Sequence, residues 1–289
     1  MTDMRARNVD FSHWQRFLSR EQLNVPVPIG TLKFNEGRKI YLDDELIDSL
    51  AAFDVREGYM YIRSNHQGYF PLTAQIDTYL EAVEMCKARG VTIDAHWVDF
   101  EQNVLYKSVQ KRVKVGGKWV NRVVREALPP DNQFSMQFGN MTLVALQEIQ
   151  KETKRLTGLY TSPRYYQEGL LQYGQKWMKD WPLWIAQWPF YGWDDRIANA
   201  HDPAAWNPRL PAGVVDWFKW QVTAWWPSDG AAGTPTLDMN VTNGTLAQYK
   251  AALGLADTPA TPPDDGEDPA AQWNAALTAA GAAIEDLRR

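Results

Sequence analysis

At 289 residues, with 45% hydrophobic and 22% charged side chains, the chain can bury one large α/β or β-barrel core, or two smaller ones. A formal net charge of −5 gives no general attraction to nucleic acid or to an anionic membrane surface, and a single cysteine, Cys86, excludes a disulfide framework and a multi-thiolate metal site. No apolar run is long enough to span a bilayer, and the opening MTDMRARNVD lacks the apolar core of a secretory signal. Any role outside the cytoplasm then needs another export route, cell lysis, or a signal absent from this sequence.

NVDF (8–11) reads as a first strand. Asp10, Ser12 and His13 suggest a hydrolase triad at first sight, but triad members meet from distant segments, whereas neighbours on a strand point to opposite faces. Residues 24–50 read as an insertion: a loop or hairpin followed by a short helix. GYMYIRS (58–64) reads as an aromatic-rich strand, and 71–90 as a helix in which Ile76, Tyr79, Leu80, Val83 and Cys86 share a face and Gly90 is the stop. On that face Cys86 is expected to be a buried thiol, not a nucleophile. VTIDAHWVDFE (91–101) follows as a strand. Residues 109–126 alternate basic and β-branched side chains around Gly116-Gly117, the pattern of an inserted hairpin whose cationic face could hold an anionic wall polymer. A helix is predicted from about Met141 to Leu156, then strands at 158–162, 183–188, 218–223 and 236–241, separated by short helices or loops. The alternation therefore suggests an α/β fold of repeated β/α units, with a second half more β than β/α.

Nine of the 14 tryptophans fall between Trp181 and Trp226. Indole suits both core filling and stacking on a sugar ring, and for each tryptophan taken singly the core is the preferred reading. At 258–269 the composition turns proline- and acid-rich, and an alanine-rich helix follows. The division expected is thus a main domain at 1–255, a linker at 256–269 and a helix at 270–289 that docks on the main domain, self-associates or begins a further module.

The chemistry concentrates in HWVDFEQN (96–103). Asp99 and Glu101, two apart on a strand, leave the same face roughly 7 Å from each other. Charging both in a cleft is unfavourable, so one pKa is expected to rise, giving a general acid beside an ionised partner. Asp10 and Asp238 are further strand acids. If the strands form a parallel barrel, their C-terminal ends converge on one face, where such barrels place active sites. Four acids beside tryptophans describe a glycosidase cleft better than a hard-metal site, and the four histidines (13, 66, 96, 201) lack zinc-ligand spacing.

In order along the chain, VDFSHWQ, YIRSNHQGYF, WVDFE, LYTSPRYY, WPLWIAQW, WFKWQVT and LDMNVTNG resemble the strand motifs of glycoside hydrolase family 25, the Chalaropsis-type lysozymes. The resemblance implies an α/β, irregular TIM-like β/α barrel and N-acetylmuramidase activity on peptidoglycan glycan strands without a cofactor or metal, with Glu101 as acid/base, Asp99 as its partner, and Asp10 and Asp238 as the other cleft acids. It further implies a groove lined by Trp184, Gln187 and Gln221, with Arg63, Trp97, Tyr160 and Asn240 as additional substrate-binding candidates. With no signal, a linker and a trailing helix, the arrangement resembles a phage endolysin or virion lysin made in the host cytoplasm. The resemblance departs at one place. Only one helix and one strand occupy 71–101, so a β/α unit reads as missing or replaced by 24–50. Other readings are a glycan-binding or structural module on the same barrel, a hydrolase of another N-acetylated glycan such as chitin, and, as the outsider, a metal-dependent hydrolase.

Overall fold

The computed structural model describes residues 5–12, 27–63, 71–101, 106–127, 132–170, 175–187, 207–227 and 236–255. In chain order the elements are β1 (Arg7–Phe11), β2 (Ile29–Glu36), β3 (Lys39–Ile40), α1 (Asp44–Ala51), β4 (Val55–Tyr61), α2 (Leu72–Ala88), β5 (Ala95–Asp99), β6 (Tyr106–Val115), β7 (Lys118–Ala127), α3 (Asn132–Thr153), β8 (Leu156–Thr161), β9 (Leu183–Ala186), β10 (Lys219–Pro227), β11 (Thr236–Thr242) and α4 (Leu246–Ala252). The strands run β1-β11-β10-β9-β8-β5-β4-β2, and the pairing of β1 with β2 closes them into an eight-stranded barrel, with β3 added beside β2. Closure leaves no barrel edge exposed to another chain.

Every neighbouring pair from β1 through β2, β4, β5, β8 and β9 to β10 is parallel; β11 is antiparallel to both β10 and β1. The helices lie where the sequence pattern places them. Asp43 caps α1 by accepting from Leu46 N at 3.1 Å. Gly90, at φ +77°, ends α2, with Val91 N donating back to Cys86 O at 2.9 Å. Outward-facing strand residues such as Val98 and Phe100 pack with Leu46 and Leu50 of α1, Ile76, Tyr79 and Cys86 of α2, and Leu146 and Ile149 of α3. Each such fully buried aliphatic or aromatic side chain contributes roughly 1.5–3 kcal/mol over exposure. Cys86 is buried as expected, and burial pushes its thiol up to about 12. α4 closes the lower end of the barrel, with Tyr249 and Leu253 packed on Ala6, Ile29, Val55 and Ala95.

Several boundaries differ from the sequence reading. Residues 24–50 contain no mere insertion: β2 is a full barrel strand between β1 and β4, and α1 is its helix, so this stretch supplies the unit that seemed absent. Its prolines and glycines suggested a loop, yet Gly30 is required inside the strand, because a Cβ there would meet the Phe53 ring at 2.4 Å. α3 begins at Asn132, well before Met141. β5 ends at Asp99, although Phe100 N still donates to Tyr160 O at 2.9 Å, so the backbone stays extended as far as Glu101. β6 and β7 form a hairpin in a two-stranded sheet of their own. The expected linker at 256–269 and helix at 270–289 lie outside the described residues, as do His13 and Trp14.

Candidate active site

Along each barrel strand the side chains alternate, and the inward set forms layers. On β5, His96 points outward to α2, where its Nδ1 lies 2.8 Å from the Tyr79 hydroxyl. Burial holds this imidazole down to about 3, so it is a neutral core residue. Ala95, Trp97 and Asp99 face inward, and Glu101 continues their line past the strand end.

Other strands bring their inward residues to the same level. Asp10 of β1 is the register partner of Asp238 of β11, Asp99 of Tyr61 and Tyr160, and Tyr160 of Trp184. The result is a cavity of about 280 Å³ lined by Asp10, Lys33, Tyr59, Tyr61, Asp99, Glu101, Tyr160, Trp184, Gln221 and Asp238. All four acids singled out from the sequence are in it. Asp238 arrives by a route not foreseen. It sits near the start of β11, not at a strand's C-terminal end, and the antiparallel direction of β11 carries that start to the end where the parallel strands finish.

The acids are held by defined partners. Asn240 Nδ2 donates to Asp10 Oδ2 at 2.9 Å, and Trp184 Nε1 donates to Asn240 Oδ1 at 2.8 Å. Asp10 and Asp238 share a side-chain hydrogen bond that lowers the first and raises the second. The Tyr160 hydroxyl lies 2.9 Å from Gln221 Oε1 and also hydrogen-bonds Glu101, offering one proton to two acceptors. Asp99 Oδ1 is buried with no hydrogen-bond partner among the described residues.

The expectation that a single carboxyl would rise is too simple. All four rise, with burial the largest cause at each: Asp10 to about 6, Asp99 and Asp238 well above the carboxylate range, and Glu101 upward. Neighbouring acids add to the rise at Asp99, Glu101 and Asp238. Against this, Lys33 lowers Asp99 and Glu101, and Lys219 lowers Asp10. The site thus carries protons that a fully solvated acid cluster would shed near neutral pH.

Of the other predicted residues, Tyr160, Trp184 and Gln221 line the cavity, whereas Trp97, Asn240, Gln187 and Arg63 do not. Trp97 is fully buried one layer lower, edge-on to Trp184 with centroids 5.5 Å apart. Gly158 of β8 makes room for it; a Cβ there would meet the Trp97 ring at 2.4 Å. Asn240 acts beneath the surface on Asp10. Gln187 is engaged outside the cavity, its Oε1 accepting from Arg209 N at 2.7 Å. Arg63 pairs with Glu36 and lies 5.1 Å over the Tyr61 ring. Lys33, Tyr59 and Tyr61 were missed. The tyrosines were visible as alternate residues of an aromatic-rich strand; Lys33 was hidden in the stretch read as an insertion. Of the clustered tryptophans, only Trp184 lines the cavity among the described residues, while Trp217 and Trp220 are core.

No family model matches the chain, and no curated protein does. Solved structures do. The catalytic domain of endolysin ply40 from bacteriophage P40 of Listeria monocytogenes aligns over 88% of this chain and 98% of its own, with a TM-score of 0.55 at 17% identity. The Clostridium perfringens spore cortex lytic enzyme SleM covers 84% of this chain and 69% of its own at 0.55 and 17%. A family 25 glycosyl hydrolase from Bacillus anthracis covers 86% and 93% at 0.51 and 14%. The chain has the family 25 glycosyl hydrolase fold. In this barrel the last strand is antiparallel, the second half is helix-poor, and the four acids stand where the parallel strands end.

Proposed function

We propose that the chain is a peptidoglycan hydrolase of the family 25 type, cutting the β-1,4 bond between N-acetylmuramic acid and N-acetylglucosamine with retention. The observation that carries this reading is the convergence of Asp10, Asp99, Glu101 and Asp238, from three strands, on one cavity walled by Trp184, Tyr59, Tyr61 and Tyr160. Aromatic faces suit sugar rings, and paired carboxyls are the usual apparatus for glycosidic cleavage. The similarity to lytic enzymes and endolysins supports the same reading.

In this mechanism Glu101, raised by burial, gives its proton to the leaving glycosidic oxygen as the bond to the anomeric carbon breaks. The anomeric carbon is captured either by Asp99 or by the carbonyl oxygen of the substrate's own acetamido group. In the second case Asp99 Oδ1, without a hydrogen-bond partner among the described residues, accepts the acetamido N–H and steadies the oxazolinium. Glu101, now a carboxylate, takes a proton from water, whose oxygen attacks the anomeric carbon and releases the product. Asp10 and Asp238, sharing a hydrogen bond, adjust the charge of the pocket as that cation forms and collapses.

Glu101→Gln keeps the shape and removes the proton, so kcat on purified peptidoglycan should fall by about 10²–10⁴-fold with the fold intact. Mass spectrometry of the wild-type digest should give reduced muramic acid ends. Reduced glucosamine ends would overturn the bond assignment, and binding without any reducing ends would return the chain to a glycan-binding module. On this reading the protein acts on the wall after lysis-type release from the host cytoplasm, or as part of a virion.

A further inference from the structure

The β6–β7 hairpin is a strongly basic feature of the described residues that the proposed chemistry does not use. It is built to stand apart. Its ten-residue strands pair in full register, Tyr106 with Ala127 through Val115 with Lys118, and with no barrel strand. The connection is Gly116-Gly117, at φ +57° and +82°, the two left-handed residues that a two-residue hairpin turn requires. The arm is about 30 Å long at ~3.4 Å per residue. Four residues separate Glu101 from Tyr106, which tethers the base of the arm within roughly 18 Å of the proposed acid.

Its surface opposes that of the molecule that carries it. The whole chain has a net charge of −5 and an acid-lined cavity, yet Val109–Val123 contains Lys111, Arg112, Lys114, Lys118 and Arg122 and no acid. All five cations are exposed. The register distributes them over both faces. On one face Lys111 stands opposite Arg122, with Val113 opposite Val120. On the other, Arg112 faces Asn121 and Lys114 faces Trp119, whose ring is 58% exposed.

We propose that this hairpin is a binding arm for a phosphodiester polymer of the bacterial wall; its role beside the cleft rests on the hydrolase reading, its binding does not. Guanidinium groups fork onto phosphate oxygens and ammonium groups add point charge. A flexible chain can engage both faces, whereas a lipid surface is flat and meets one. The apolar side chains are also divided, Trp119 and Val123 on one face and Val113 and Val120 on the other, so neither face offers a patch large enough to seat a folded protein. The negative barrel repels such a polymer from the cleft, and the arm holds it alongside.

The test measures binding of the full-length protein, on ice, to sacculi that retain their phosphodiester polymers and to sacculi stripped of them with cold hydrofluoric acid. Stripping leaves the peptidoglycan carboxylates in place. The expected result is at least a tenfold preference for the polymer-bearing sacculi at 50 mM salt that collapses by 200 mM, as counterion release dictates. R112Q/K114Q/K118Q/R122Q should abolish the preference without changing reducing-end release from stripped sacculi. R112K/R122K, which keeps the charge, should retain most of it. Equal binding to both sacculi, a preference that survives the fourfold variant, or tighter binding to phosphatidylglycerol vesicles than to the polymer would each overturn the proposal. Absence of reducing ends from stripped sacculi would overturn the hydrolase reading and leave the arm's binding to be judged on the preference alone.

Discussion

Two layers of charge lie inside the same barrel, two residues apart on the same strands, and they are resolved in opposite ways. The upper layer is Asp10, Asp99, Glu101 and Asp238 with Lys33. The lower is Asn8, Thr31, Glu57 and Lys219, each two positions before a cavity-lining residue on its own strand: Asn8 before Asp10, Thr31 before Lys33, Glu57 before Tyr59, Lys219 before Gln221. In the lower layer every charge is answered. Lys219 Nζ lies 2.6 Å from Glu57 Oε2, 3.1 Å from Thr31 Oγ1 and 3.2 Å from Asn8 Oδ1, and sits 3.6 Å over the Trp184 ring. Thr31 Oγ1 donates to Glu57 Oε2 at 2.6 Å, and the Tyr249 hydroxyl donates to Glu57 Oε1. In the upper layer the acids outnumber their cations and their pKa values climb. Burial with compensation makes a floor; burial without it makes a site that holds and moves protons.

The largest way to break this contrast is to remove compensation from the floor. Both charged side chains of the Lys219–Glu57 pair are fully buried. Lys219→Met leaves Glu57 without its cation, and should destabilise the fold by about 3–5 kcal/mol, read as the shift in urea midpoint. Lys219→Met with Glu57→Gln removes both charges and should recover most of that loss. If the double variant is as unstable as the single one, charge balance is not what the floor supplies, and shape alone explains it.

A smaller effect tests the upper layer. A carboxyl raised in the folded state binds its proton there at pH values where the unfolded chain has already lost it. Stability therefore falls as pH rises from about 4 through the folded pKa, and is fully regained only below the unfolded one. For Asp10, raised from 3.8 to about 6, the window is about pH 4–6. Asp10→Asn should stabilise the protein above pH 6 by at most about 3 kcal/mol and flatten the slope across that window, while sharply lowering turnover. Thermal unfolding at pH 4.5, 6 and 7.5 reads it directly. A variant less stable than wild type at pH 7.5 would make Asp10 a structural acid.

How much of this was legible follows from what each signal depends on. Alternation on a strand is local, so Asp99 and Glu101 announced their shared face, and the order of short motifs pointed to the fold before any coordinates. Strand direction is not local. Nothing within TLDMNV distinguishes parallel from antiparallel, so Asp238 could be named as a cleft acid without the reason it reaches the cleft. β2 was hidden because Pro26, Pro28, Gly30 and Gly37 punctuate its neighbourhood like a loop, while the need for Gly30 arises only when Phe53 packs on it. The floor left no trace in sequence, since Glu57 and Lys219 are separated by 162 positions and each alone is an ordinary charged residue.

That hidden strand carries the finest test. Lys33 reaches the cavity from β2, its Nζ 2.8 Å from Glu36 Oε2 and 5.0 Å over the Tyr61 ring, and its charge lowers Asp99 and Glu101. Lys33→Met takes that cation away, so both carboxyls should hold their protons to higher pH. In the proposed mechanism turnover needs Glu101 protonated and its partner acid ionised, so both limbs of the pH–rate profile should move upward together, by several tenths of a unit for one partly screened charge. A drop in rate at all pH values with the limbs unmoved would mean that Lys33 contacts the glycan and does not set the acids' charge. An upward move of both limbs would show that the upper layer, though its acids outnumber its cations, is tuned at Asp99 and Glu101 by a cation on the strand that the sequence concealed.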